Sequence, residues 1–311
     1  MMGVDSLTSV STTGSTSGSP LRCSDVGVEP LPGTAKTGQG FVLLEHPGPW
    51  SRDVLDGGTF TPELTTRLEA HLKAAKMGLQ LIRKPGREGR QIDGHTVFLV
   101  FSDQAVTERL VIDDPAGVLD LDLSGPGRNG AGLGTQRVDH PVLLICTHAK
   151  RDACCAIKGR PLAAELVAQF PSGFVWESSH TKGHRFAPSM LLMPWNYSFG
   201  RLNAESTAAL LTTAQRGEYF HPGNRGRGTL DARGQVAELA VAEQLIGNGE
   251  TVGLGQLEVD AQPGTVVVTH PDGRIFEVEL DQRTIEGVIS SCGDEPKVGK
   301  GWVATVVRQR P

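Results

Sequence analysis

The chain has no uninterrupted apolar run approaching the roughly 20 residues that a helix needs to cross a bilayer, so a membrane-embedded reading finds no support. It has no surplus of positive charge. Its 30 Lys and Arg stand against 35 Asp and Glu, the net charge is -5 and the pI is near 6.0, which leaves no general attraction to nucleic acid or to an anionic membrane. No two cysteines are separated by two residues, which counts against a thioredoxin-style redox pair. A Gly-x-x-x-x-Gly-Lys-Ser/Thr loop and a Gly-x-Ser-x-Gly elbow are both absent, and no pair of carboxylates stands at a spacing that supports sugar cleavage. The first 20 residues lack the basic start and apolar centre of a secretory signal; rich in Ser, Thr and Gly, they predict a disordered tail over 1–20. Five cysteines in 311 residues, three of them crowded at 146, 154 and 155, do not form a disulfide framework, and a reducing cytoplasm is the expected compartment.

What is present is an ordinary globular composition, 38% hydrophobic and 21% charged, with length for two or three cores. Residues 21–137 predict a mixed α/β unit. Its strands are Phe41–His46, Leu79–Arg83, Thr96–Phe101 and Arg109–Asp113, and helical spacing of Leu64, Leu68, Leu72, Ala75 and Leu79 runs from Pro62 to Gln80. Asp113-Asp114 reads as an exposed strand end. The glycine-rich stretch from Ser124 breaks this unit off; although Gly125-Pro-Gly127-Arg-Asn-Gly130 matches a dinucleotide fingerprint, more glycine follows it rather than a helix.

Residues 138–228 predict a second unit. Pro141–Cys146 is a buried-strand run, Pro161 suits the first turn of a helix carrying Leu162, Leu166 and Phe170, and Gly173–Glu177 is the next strand. Ser189–Met193, Tyr197–Leu202 and a helix over Glu205–Arg216 complete an order β-α-β-β-β-α that fits a thioredoxin-like sheet. Residues 229–311 predict a small α+β unit: a helix over Gln235–Ile246, a hairpin turned at Asp272-Gly273, and a last strand at Trp302–Val307, structural or partner-binding in character. No internal repeat is visible, and Asn224-Arg-Gly-Arg reads as a solvated loop.

The chemistry concentrates in two short stretches. Cys146 is followed after eight residues by Cys155, and His180 and His184 are separated by three. Thiolates and neutral imidazoles suit borderline-soft ions, zinc or the iron of an iron-sulfur cluster. Eight intervening residues exceed zinc-finger spacing, and a long loop wraps a larger object, with Lys150, Arg151 and the loop amides as donors to sulfide. Against this stands the bland reading, that cysteines near a strand end are core filling and loop histidines are polar surface. His46, His71, His95, His140, His221 and His270 are read in that way.

The motifs Cys-Thr-His-Ala-Lys-Arg-Asp-x-x-Cys, Gly-Arg-Pro-Leu-Ala and Ser-His-Thr-Lys-Gly-His-Arg-Phe-Ala-Pro resemble the sucrase/ferredoxin-like family, the thioredoxin-like ferredoxins. Arg22-Cys23-Ser24, Gly33-Thr34-Ala35, Glu45–Trp50 and Asn224-Arg-Gly-Arg resemble further family segments, covering about residues 22–245. The resemblance implies a thioredoxin-like ferredoxin domain, which with the residue pattern makes a fold of that domain preceded by a mixed α/β domain and followed by a small α+β domain. It implies a [2Fe-2S] cluster on Cys146, Cys155, His180 and His184, serving electron transfer or redox sensing toward a redox partner protein; the lack of paired carboxylates disfavours sucrase activity. Cys154, beside Cys155, is a substitute ligand or a nearby thiol. Lys182 stands where many relatives carry a smaller residue, which places a charge near the cluster. Two other functions use the same residues: a structural zinc site on the same four ligands, or a thiol-disulfide oxidoreductase.

Overall fold

The computed structural model describes residues 22–262 and 264–311, and the tail expected over 1–20 lies outside them. The chain enters through a one-turn helix, α1 (Cys23–Val26), and its first strand, β1 (Gly40–Glu45), is buried at all six positions. Helix α2 (Pro62–Ala74) starts where the Thr61 side chain accepts from Leu64 N, with Pro62 in the first turn. It ends earlier than the helical spacing predicts. Lys76 takes a positive φ of 55°, the chain reverses, and Leu79 belongs to β2 (Met77–Arg83) instead. Then follow β3 (His95–Phe101), β4 (Val106–Ile112) and, after the irregular glycine-rich stretch, the two-residue β5 (Gln136–Arg137).

The next segment runs β6 (Val142–Cys146), α3 (Ala153–Val167), β7 (Val175–Ser178), β8 (Ser189–Met193), β9 (Tyr197–Gly200), α4 (Ala204–Gln215) and β10 (Asn224–Arg227). Helix α3 differs from expectation. It begins at Ala153 because the Asp152 carboxylate caps it by accepting from Cys154 N, so Pro161 lies inside the helix and both neighbouring cysteines lie in its first turn. Asn224-Arg-Gly-Arg is not a solvated loop; it pairs with β9 as an edge strand, and Arg225 is 1% exposed.

The ten strands form one mixed sheet in the order β10-β9-β8-β6-β7-β2-β1-β3-β4-β5. Within it, β1 is parallel to β2 and antiparallel to β3; likewise β6 is parallel to β7 and antiparallel to β8. Both halves therefore have strand order second, first, third, fourth. This is a repeat of topology that the sequence does not display. The halves join edge to edge where Ile82 and Arg83 at the end of β2 pair antiparallel with Ser178 and Glu177 at the end of β7. The C-terminal ends of β1, β2, β6 and β7 thus converge near the middle of the sheet, and the loops that leave β1 and β6 meet there, Trp50 edge-on to His148 at 5.8 Å between ring centroids.

Helix α5 (Ala232–Gly247) leads to a four-stranded antiparallel sheet in sequence order, β11 (Glu258–Asp260), β12 (Val266–Thr269), β13 (Ile275–Val288) and β14 (Lys297–Gln309). The turn at His270–Gly273 is the expected one, with Gly273 at φ 93°; the two last strands are much longer than the sequence suggests. One apolar layer, including Phe41, Phe98, Ile82, Trp176 and Leu191, covers the junction of the two halves. Another runs from Leu143, Leu162 and Phe199 through Ala237 and Val241 to Val268 and Phe276. Packing therefore crosses both places, near 137 and near 228, where the composition changes. Among the described residues no helix is long and apolar enough to cross a membrane.

Candidate metal centre

Five buried apolar positions make β6 a strand covered on both faces, and it delivers Cys146 at its C-terminal end. Helix α3 returns across that end, and Gly159, one turn after Cys155, allows the approach: a Cβ there would stand 2.1 Å from the Cys146 carbonyl oxygen. His180 follows β7 by two residues. Lys182 (φ 56°) and Gly183 (φ 85°) turn the chain so that His184 opens a short 3-10 turn. The loop between the histidines is held from behind by Arg225, whose guanidinium donates to the Lys182 carbonyl and to Ser189 Oγ at 3.1 Å each, and to Thr34 Oγ1 at 3.0 Å. A Cβ on Gly183 would lie 2.5 Å from that guanidinium. Lys182 itself is exposed.

Donor atoms of Cys146, Cys155 and His180 all lie within 4.8 Å of one another. His184 stands alongside, its ring centroid 5.3 Å from that of His180, with Nε2 2.9 Å from Ser291 Oγ. The Nδ1 atoms of both histidines are buried without a hydrogen-bond partner. All five cysteines are free thiols. Burial pushes the Cys146 thiol up, but the Cys155 thiol, His180 and the backbone at His148 outweigh it and hold Cys146 well below the ordinary thiol value. Cys155 moves the other way, raised by its hydrogen bond to Cys146, by burial and by the Cys146 charge. Two buried thiols and two imidazole nitrogens left without partners fit a borderline-soft metal, since an unpaired polar atom in a buried site is costly unless something binds it.

Cys154 does not face this group. Its Sγ turns toward Cys23 and Cys292, 3.7 and 3.3 Å away, so the geometry gives no support to the substitute role expected for it. Nor does Arg151 reach inward; it pairs with Asp53 at 3.1 Å, and the amides of Arg151 and Asp152 are taken up by the His148 carbonyl. The six remaining histidines named above are half-buried rather than surface groups. His95 Nδ1 bonds the Glu45 carbonyl, His71 Nε2 bonds that of Leu121, and His140 stacks on Phe174.

Three residues beside the site have no role that the sequence alone assigns, although two of them, Thr147 and His148, stand inside the motif that begins at Cys146. His148, 3% exposed, has neither ring nitrogen hydrogen-bonded. Lys36 donates to Gln80 Oε1, and burial, then the Lys182 charge, lower its ammonium to about 7 against the opposing pull of Cys146. Thr147 donates to Glu177, which also receives Arg83 at 2.8 Å.

The sequence model of sucrase/ferredoxin-like proteins matches residues 31–226. The chain belongs to the sucrase/ferredoxin-like family. No curated protein and no solved structure matches it. The family match contains both cysteines and both histidines of the site, and Arg225 falls at its end. Cys23 and Cys292 lie outside it.

Proposed function

We propose that this family member is a [2Fe-2S] electron-transfer protein whose cluster is held by Cys146, Cys155, His180 and His184 on a thioredoxin-like half of the large sheet. The observation that carries the reading is a buried pair of thiols set beside a pair of adjacent histidines: Cys146, Cys155 and His180 lie within 4.8 Å of one another, and the His184 ring is 5.3 Å from that of His180, with both Nδ1 atoms buried and without a partner. A two-iron cluster can take its two cysteines on one iron and its two histidines on the other, and the nine-residue step from Cys146 to Cys155 is longer than zinc-finger spacing. When bound, such a cluster supplies one-electron oxidation and reduction. The chain's own residues do the rest. Gly159 and Asp152 set α3 against β6, Arg225 and Gly183 fix the histidine loop, and the buried faces around Cys146 exclude water.

The partner would dock beside Thr147 and His148. There Arg83 and Arg160 line two adjoining hollows, of about 220 and 410 Å³, with Lys150 in one, Arg87 and Arg90 in the other and Glu177 as the acid among them. That grouping suits an acidic face on a redox partner protein. Five free thiols and the absence of disulfides among the described residues suit a reducing, cytoplasmic setting.

Anaerobic purification with visible absorption, iron and labile sulfide analysis tests the proposal. Two irons and two sulfides per chain in a coloured protein are expected. A colourless protein with zinc on these residues would replace electron transfer by a structural role. His184→Ala is expected to alter the spectrum, and His221→Ala to leave it intact.

A further inference from the structure

Three further thiols meet on the far side of the α3 N-terminus. Cys23 comes from α1, Cys154 from the first turn of α3, and Cys292 from the turn joining β13 to β14. Their Sγ atoms form a triangle with sides of 3.7 Å (Cys23 to Cys154), 3.3 Å (Cys154 to Cys292) and 3.7 Å (Cys292 to Cys23). Asp152 closes a fourth corner, its Oδ1 3.3 Å from Cys292 Sγ and 3.8 Å from Cys23 Sγ. All four donor atoms lie within 4.8 Å of one another, and Cys23, Asp152 and Cys154 are buried.

The dimensions decide between two chemistries. A disulfide requires about 2.05 Å between sulfurs, and three thiols cannot pair without leaving one over. A tetrahedral zinc with bonds of about 2.3 Å to sulfur and about 2.0 Å to oxygen gives donor separations of about 3.8 Å between sulfurs and about 3.5 Å between sulfur and oxygen, close to the set observed. Charge points the same way. The carboxylate and three thiols share a buried volume in which no lysine or arginine, among the described residues, hydrogen-bonds to any of them; Asp152 accepts from the amides of Cys154 and Cys292 and from the Cys23 and Cys292 thiols, and the His184 ring stands 3.8 Å away. A buried carboxylate with no lysine or arginine beside it is costly, and a divalent ion, to which the thiols give up their protons, removes that cost.

We propose that Cys23, Asp152, Cys154 and Cys292 bind a structural zinc ion, separate from the site on Cys146, Cys155, His180 and His184. The ion ties the N-terminal helix and the long C-terminal hairpin, which come from outside the family-matched segment, to the cap of α3. Because Ser291 precedes Cys292 and stands 2.9 Å from His184 Nε2, the same tie sets the hydrogen-bond partner of that histidine. It also explains why adjacent cysteines face different ways: Cys155 belongs to one site and Cys154 to the other.

The test is metal analysis and zinc-edge X-ray absorption on the full chain purified from zinc-containing medium. One zinc per chain with three sulfurs at about 2.3 Å and one oxygen at about 2.0 Å is expected. Cys23→Ser and Cys292→Ser should each lose that zinc while keeping the iron and sulfide content of the unaltered protein, and Cys146→Ser should do the reverse. Absence of zinc, or a zinc surrounded by two sulfurs and two nitrogens that disappears with Cys146→Ser, overturns the proposal. The absorption measurement needs no variant, so a Cys→Ser protein that fails to fold leaves the result decisive.

Discussion

Nε2 of His184 lies 3.8 Å from the Asp152 carboxylate and 2.9 Å from Ser291 Oγ, which leaves its buried Nδ1 as the nitrogen without a partner. With His184 as a cluster ligand, the outer nitrogen would carry a proton toward two acceptors. An oxidised, more positive centre favours loss of that proton, so reduction above the corresponding pKa takes up a proton and the potential falls as pH rises. The expected slope is about 59 mV per pH unit for one proton and one electron. Two neutral imidazoles in place of two thiolates also place the potential above that of an all-cysteine ferredoxin. Ser291→Ala removes one acceptor, disfavours the protonated ring, and should bring the fall to lower pH. Protein-film voltammetry from neutral to strongly alkaline pH checks both; a flat potential ends the proton-coupling idea.

A second expectation concerns partner choice. Arg87 and Arg90 are exposed and line the hollow next to Glu177, away from the donor residues. Reversing both charges should slow electron exchange with an acidic partner by about tenfold or more at low salt and flatten the ionic-strength dependence, because steering acts through screened long-range charge. Stopped-flow reduction by the partner, set beside reduction by a small neutral reagent, separates docking from chemistry. Equal slowing with both reductants would remove the docking role.

Much of this was legible in the chain. Cys146 is announced by the continuous apolar run that ends in it, and the β-α-β-β-β-α order of the central segment follows from strand runs and turn residues alone. The α3 start was not, because Pro161 is a good first-turn residue and Asp152 reads as a loop acid until its carboxylate is seen to accept from Cys154 N. Arg225 looked like a surface charge for a similar reason: a short Asn-Arg-Gly-Arg stretch carries no apolar alternation, and burial of its guanidinium depends on carbonyls and hydroxyls from residues 34, 182 and 189. The joining of the two halves rests on the pairs Ile82 with Ser178 and Arg83 with Glu177. Nothing local encodes such a contact between residues nearly a hundred positions apart. The Cys23, Cys154 and Cys292 grouping is hidden for the same reason.

Glu238 gives a pH dependence remote from the metal site. It is fully buried, accepts from Tyr197 at 2.9 Å and pairs with Arg227 at 3.0 Å, yet burial outweighs that pull and raises its carboxyl to about 7. Unfolded, the same group titrates near about 4.3. Between these values the folded state keeps a proton that the unfolded state has lost, so this contribution is present in full below about pH 4 and is lost as pH rises to about 7, on the order of 3 kcal/mol. Glu238→Gln should abolish that slope in urea unfolding compared at pH 5 and pH 8. At pH 5, where Glu238 already carries its proton, the amide should change stability little, and at pH 8 it should leave the variant the more stable of the two. An unchanged slope would place the titration elsewhere.

Gly159 offers the sharpest test of how α3 and β6 bring the two cysteines together. Alanine at a helix interior is favoured over glycine by about 1 kcal/mol, and at Gly247, the last residue of α5, where an added Cβ meets nothing within 4 Å, Gly247→Ala should leave stability unchanged or raise it by less than that amount. At Gly159 the same methyl would stand 2.1 Å from the Cys146 carbonyl oxygen, a backbone atom that cannot rotate away. Helix or strand must shift, and overpacking of this kind costs about 1–3 kcal/mol, more than the propensity gain. Cys155 lies four residues earlier on the same helical face, so the shift separates it from Cys146. Gly159→Ala should therefore lower both the unfolding midpoint and the metal content of the Cys146 site; full metal content with an unchanged midpoint would mean that the close approach of α3 is not what assembles the pair.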